Sequence, residues 1–131
     1  MQSMLEALPA ADVVVTNPEH FAVALAYDPN GKDPPRVVAR GADFLAMRIR
    51  DRATQEGVSL FEAPPLARAL YFTTEVGGFI PEALYHAVAQ VIAYVFSVGT
   101  FSSSGGFQRP NPKVPPEMDF DEMGKLKDDL A

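Results

Sequence analysis

The chain has 131 residues, 47% of them hydrophobic, with a net charge of −6 and no cysteine. That length suits one domain with a real core, and the lack of cysteine excludes disulfides, thiolate metal sites and a cysteine nucleophile, as suits a reducing cytoplasm. Residues 1–98 carry seven basic and eleven acidic side chains and residues 99–131 four and six, so neither part has the basic excess of a nucleic-acid binder.

In chain order, residues 1–10 (MQSMLEALPA) suggest a short helical lead-in ending near Pro9. No secretory signal pattern is visible there. Residues 12–16 (DVVVT) read as a buried strand, Asn17-Pro18 as a turn, and residues 21–27 (FAVALAY) as a second strand. In the second strand Phe21, Val23, Leu25 and Tyr27 share one face. Three alanines share the other, which predicts close packing there. Residues 28–35 (DPNGKDPP) form a turn-rich loop, and 36–40 (RVVAR) a third strand.

From Ala42 the period becomes helical. Ala42, Leu45, Ala46, Ile49 and Ala53 lie on one face of a helix that Gly57 stops. The local cluster Arg36, Arg40, Arg48, Arg50 and Arg52 reads as a solvated face. Residues 58–62 (VSLFE) suggest a fourth strand, so strand, helix, strand predicts a right-handed parallel crossover. Pro64-Pro65 precedes a short helix over 66–74, ended by Gly77-Gly78, and Pro81 opens a last helix with Ile80 stapled onto its first turn. The apolar window 87–98 is interrupted by Gln90 and too short to span a bilayer, so the chain reads as soluble. Residues 99–131 combine a Ser/Gly run at 102–106, several prolines from Pro110 to Pro116 and a charged end, the composition of a flexible tail expected to be largely disordered.

Other constellations carry little chemistry. His20 and His86 are the only histidines, and neither is spaced with carboxylates as a metal site; His86 reads as structural. No nucleotide-binding loop or nucleophile elbow is present, so neither cofactor nor metal is expected. Arg68 could contact the Asn17-Pro18 loop or a partner, although the Pro-Pro run around it is more simply a helix start.

Three stretches, ADVVVTNPEHFAVAL, VVARGADFLAMRIRDRA with GVSLFEAPPLARALY, and IPEALYHAVAQVIAYV, together resemble the cytoplasmic domain of the FlhB/YscU/SpaS family of type III export switch proteins. The Tyr27-Asp28-Pro29 loop and the Pro-Pro-Leu-Ala-Arg-Ala-Leu-Tyr run look like the flagellar branch. The resemblance implies a compact α/β domain, with a central four-stranded mixed sheet surrounded by helices, over residues 11–98. Residues 1–10 would then be the linker from a missing N-terminal membrane domain. It also implies a place on the cytoplasmic face of the bacterial inner membrane. Implied partners are other flagellar export components, export substrates and a hook-length control protein, with membrane contact only through the missing domain.

Members of the family cut their own backbone between Asn and Pro of an Asn-Pro-Thr-His signature, which corresponds here to Asn17, Pro18, Glu19 and His20 at a cleavage loop spanning 17–20. The residue types suit that chemistry. Proline has no N–H, so it cannot attack the asparagine side chain. The reverse attack remains: the Asn17 side-chain nitrogen adds to its own main-chain carbonyl, a succinimide forms, and the Pro18 nitrogen leaves. His20 is the natural proton carrier. Glu19 stands where the family usually has Thr; it could orient His20, serve as a base, or simply face solvent. The expected reaction is one self-cleavage per molecule, not turnover, and it would change export from rod and hook subunits to filament-type ones. Two alternatives stand beside it: a docking module that never cleaves and binds export substrates or gate proteins, and a free-standing soluble paralogue of the switch domain.

Overall fold

The computed structural model describes residues 4–100 and 108–127. Four strands, β1 (Val13–Asn17), β2 (Phe21–Ala26), β3 (Arg36–Ala42) and β4 (Ser59–Glu62), form one sheet in the order β3-β2-β1-β4. β1 runs antiparallel to β2 and parallel to β4, and β2 runs antiparallel to β3. The sheet is therefore mixed. Helix α1 (Phe44–Gln55) joins β3 to β4, which are parallel to each other at opposite edges, so the crossover spans the width of the sheet.

Alternation along the strands divides the core in two. Val13 and Val15 of β1, Val23 and Leu25 of β2 and Phe61 of β4 face α2 (Pro64–Thr73) and α3 (Tyr85–Thr100). Val14, Ala22 and Ala24 face the other way, onto Ala46, Ile49 and Ala53 of α1 and onto Leu8. The alanine face of β2 thus allows the close approach its sequence implies. A register shift between Ala24 and Leu25 leaves Val38 as an extra residue in β3, so Val38 and Ala39 both join the α1 side.

Several boundaries differ from the sequence reading. The lead-in is a 3₁₀ helix, Met4–Ala10, and it buries Leu8 completely, so it belongs to the core rather than standing off it. Pro81 does not open α3 directly; a 3₁₀ turn, Glu82–Leu84, comes first, and Ile80 is buried before it. α2 begins at Pro64, where a first-turn proline loses no hydrogen bond.

Composition marks 99–131 as a loose tail, yet its described part, residues 108–127, lies against the domain. Val114, Met118 and Phe120 pack on the α2–α3 side of the core, and Arg109 lies over the Phe61 ring, 4.0 Å from its centroid. Three spaced apolar side chains are enough to dock a segment that is otherwise polar. The Ser/Gly run at 102–106 and the last residues, 128–131, lie outside the described residues. No helix among the described residues is long and apolar enough to cross a membrane.

The tight alanine face generates a test. Ala24→Leu should destabilise the domain by about 1–3 kcal/mol, because α1 leaves no room for the added carbons. Urea denaturation measures this, and an unchanged midpoint would mean that α1 does not pack as described.

Candidate functional site

Asn17 is not a loop residue: it is the last residue of β1 and pairs directly with Phe21, the first of β2. The two strands are joined by Pro18, Glu19 and His20, and the His20 N–H donates to the Asn17 carbonyl at 2.9 Å. Proline fixes its own φ near −65°, which removes the primed turns that suit a twisted hairpin. Glu19 takes φ +76°, so the link has the signature of a type II turn, whose third position normally needs glycine.

The Asn17 side chain is buried with its strand, and its Nδ2 finds no hydrogen-bond partner. A buried donor left unpaired costs about 1–3 kcal/mol, so this position is held against a local preference. The same residue therefore presents an uncommitted amide nitrogen and a main-chain carbonyl already polarised by an N–H donor. Pro18 and Glu19 are both exposed.

His20 is half-exposed and stands between two carboxylates. Its Nδ1 is 3.7 Å from Asp43 Oδ1 and its Nε2 is 3.4 Å from Glu122 Oε2. Asp43 also donates its N–H to the His20 carbonyl at 2.8 Å and has φ +52°. Among the described residues the two non-glycine positions with positive φ, Glu19 and Asp43, thus flank His20. The carboxylates beside the imidazole are Asp43 and Glu122, not Glu19.

Below the loop lies a group of aromatic rings. Phe21 meets Tyr71 at 4.6 Å and Phe72 at 5.3 Å between centroids, and Phe72 meets Phe120 at 5.8 Å. Arg40 stacks over Tyr71 at 4.8 Å and donates to its carbonyl, which ties β3 to the end of α2. Arg68 bonds the segment after α3. It is buried, and its Nε donates to the Phe120 carbonyl at 2.7 Å.

Beyond Phe120, the Asp121 carboxylate accepts the N–H groups of Lys125 and Met123, both at 2.9 Å. The Lys125 N–H is the main reason its pKa lies below the ordinary 3.8. A depressed carboxylate stabilises the folded turn above its unfolded value, and this contribution is lost as pH falls through the folded one.

His86 is exposed on α3, away from any metal-binding cluster, and none occurs among the described residues. A groove of about 530 Å³ runs between the 28–35 loop and α3, lined by Tyr27, Pro34, Pro35, Ala89, Ile92 and Phe96 among others.

Sequence reasoning named Asn17, Pro18, Glu19 and His20 but missed Asp43 and Glu122. The first is separated from the loop by a whole hairpin, and the second by 102 positions of chain. The only local hint was the Asp121-to-Gly124 turn pattern in a segment otherwise read as tail.

Comparison with known proteins bears out the fold described above. The sequence profile of the FlhB HrpN YscU SpaS Family matches residues 1–95. The flagellar biosynthetic protein FlhB of Salmonella typhimurium is 48% identical over 120 residues, covering 89% of this chain and 31% of that protein. FlhB of Bacillus subtilis is 44% identical over 96 residues, covering 73% of this chain and 27% of that protein. The chain thus spans less than a third of these relatives. Among solved structures, the cytoplasmic domain of FlhB from Shewanella putrefaciens superposes with a TM-score of 0.82 at 40% identity, covering 89% of this chain and 93% of that one. An asparagine-to-alanine mutant of the EscU C-terminal domain gives 0.68 at 31% identity, covering 71% and 93%.

The turn makes its own prediction. In an Asn17→Ala background, Glu19→Gly should stabilise the domain by about 0.5–1 kcal/mol, the relief of left-handed strain less the greater chain entropy of glycine. Paired urea titrations check the sign; a loss of stability would show that Glu19 carries no strain.

Proposed function

The chain belongs to the FlhB HrpN YscU SpaS family and matches the cytoplasmic domain of its export-apparatus proteins, and we propose that it is a self-cleaving switch in flagellar protein export, cut between Asn17 and Pro18. The observation that carries this reading is at Asn17 itself. Its Nδ2 is buried without a partner while its carbonyl accepts the His20 N–H.

In the proposed reaction Asn17 Nδ2 attacks the Asn17 carbonyl carbon. The new C–N bond closes a five-membered succinimide, the C–N bond to Pro18 breaks, and the proton lost from Nδ2 ends on the Pro18 nitrogen. The His20 N–H, already on the carbonyl oxygen, would hold the negative charge of the tetrahedral intermediate. Pairing of Asn17 with Phe21 fixes the backbone and removes much of the entropy of reaching attack geometry. The His20 ring would help carry the proton. Glu19 supports the reaction through its backbone conformation, since its side chain is exposed and the ring faces other carboxylates. Cleavage would remodel the loop surface and change the class of substrate exported.

Intact mass of the denatured protein tests this directly. The expected result is two pieces, Met1–Asn17 and Pro18–Ala131, with a single full-length mass for Asn17→Ala. His20→Ala keeps the main-chain donor and should cut about ten- to a hundredfold more slowly, the part of general acid–base assistance that water cannot replace. One full-length mass after long incubation near neutral pH would sink the reading.

The groove beside α3 favours a second role, docking of apolar segments from export substrates, which does not exclude the first. Ala89 lines it and is exposed, so Ala89→Glu should leave folding and cleavage intact. Co-purification with rod- and hook-class substrates should fall about tenfold or more, since a carboxylate would be buried against an apolar partner. Undiminished binding would remove the groove from consideration.

A further inference from the structure

Residues 119–127 fold into a small hairpin at the cleavage-loop end of the sheet. Phe120 bridges antiparallel to Leu126, the Asp121 N–H donates to the Lys125 carbonyl at 2.7 Å, and the Lys127 N–H donates to the Asp119 carbonyl at 2.9 Å. Three separate contacts seat it. Gly124, at φ +84°, lies on Phe72 so closely that a Cβ would stand 2.9 Å from the ring. The buried Arg68 holds the Phe120 carbonyl. Glu122 reaches His20 Nε2.

We propose that this hairpin is part of the cleavage site and that Glu122 is a positioning residue, which fixes the His20 ring from its Nε2 side. The proposal rests on the reading of Asn17-Pro18 as a self-cleavage site. A neutral imidazole carries one N–H, and the partner at one nitrogen decides which of the two holds it. Glu122 is the nearer of the two carboxylates facing the ring, and Asp43, at Nδ1, is the more exposed. Removing the Glu122 charge leaves Asp43 as the only carboxylate at the ring among the described residues, so the proton moves toward Nδ1 and the ring gains freedom about its side-chain bonds. The hairpin is what brings Glu122 there, and the contacts of Gly124 with Phe72 and of Arg68 with the Phe120 carbonyl hold the hairpin. A residue remote in sequence thereby sets the orientation of the group that moves the proton.

Two full-length variants separate the charge from the seat: Glu122→Gln keeps the shape, and Gly124→Ala displaces the hairpin without touching the loop. Both should cut about three- to tenfold more slowly than the parent, as befits a half-exposed contact that supplies part of the acid–base assistance. Glu122→Asp should recover part of the rate. A second readout does not depend on cutting. In Asn17→Ala chains, the ring ¹⁵N resonances of His20 should shift on Glu122→Gln while core amide resonances stay in place. Unchanged ring resonances, or a parental rate in Glu122→Gln, would overturn the proposal. A parent chain that never cuts would fail the cleavage reading itself and with it the role of Glu122, and the ring resonances would then still show whether the contact exists.

Discussion

β1 is hydrogen-bonded along both of its edges, to β2 on one side and β4 on the other, and the whole site hangs from that arrangement. Val13, Val14 and Val15 are completely buried, and each such side chain contributes about 1.5–3 kcal/mol to keeping the strand in place. Asn17 therefore ends a strand that cannot slide, and a one-residue slip would turn its valines to the wrong cores. The Ala63 N–H, donated to the Thr16 carbonyl at 2.9 Å, fastens the strand end to the start of α2. The same pairing bears on the proposed cut. Breaking the chain after Asn17 removes no ladder bond between β1 and its neighbours, so both pieces would remain in one nicked domain.

With both strand ends fixed, the turn has little choice. Pro18 excludes the primed turns, and the remaining solution puts a glutamate in left-handed backbone at a cost of about 1–2 kcal/mol. The unpaired Asn17 amide adds to that cost. The two penalties flank Pro18, one on each neighbouring residue, and the packing of β1 supplies what holds them there. Scission at the Asn17-Pro18 bond would free Pro18 and Glu19 to relax while leaving the strands paired.

The fold was legible wherever one residue type repeated with a period. The valines of β1, the alternation in β2 and the helical spacing of Ala46, Ile49 and Ala53 all occupy the faces their patterns imply. The Asn-Pro-Glu-His string stood out through its resemblance to the family's Asn-Pro-Thr-His signature; by itself it would read as a plain turn, and proline chemistry says only which attack is left open to a neighbouring asparagine. What escaped were contacts with no local signature. Asp43 reaches His20 only because β3 ends level with the turn, and Glu122 does so through a hairpin whose docking depends on single residues, Gly124 and Phe120, inside a polar run. Composition averages over such a segment and so reads it as loose. The 3₁₀ turn before α3 escaped for a similar reason, since proline can begin either kind of helix.

The two candidate surfaces sit at opposite ends of β2. Phe21 adjoins the Asn17–His20 turn and Tyr27 lines the groove, and six strand residues span about 20 Å. Because β1 stays paired after a cut, little could be transmitted along the sheet to reshape the groove. The aromatic group under the loop offers a shorter route: Phe21 touches Phe72, and Phe72 carries both Phe120 and Gly124 of the hairpin. A close-packed contact of that kind either fits or is lost, with little between. A cut that moves His20 and Phe21 by even a fraction of a ring width would therefore act first on the seating of residues 119–127, so the proposed cleavage would change the surface at that end before it reached the groove.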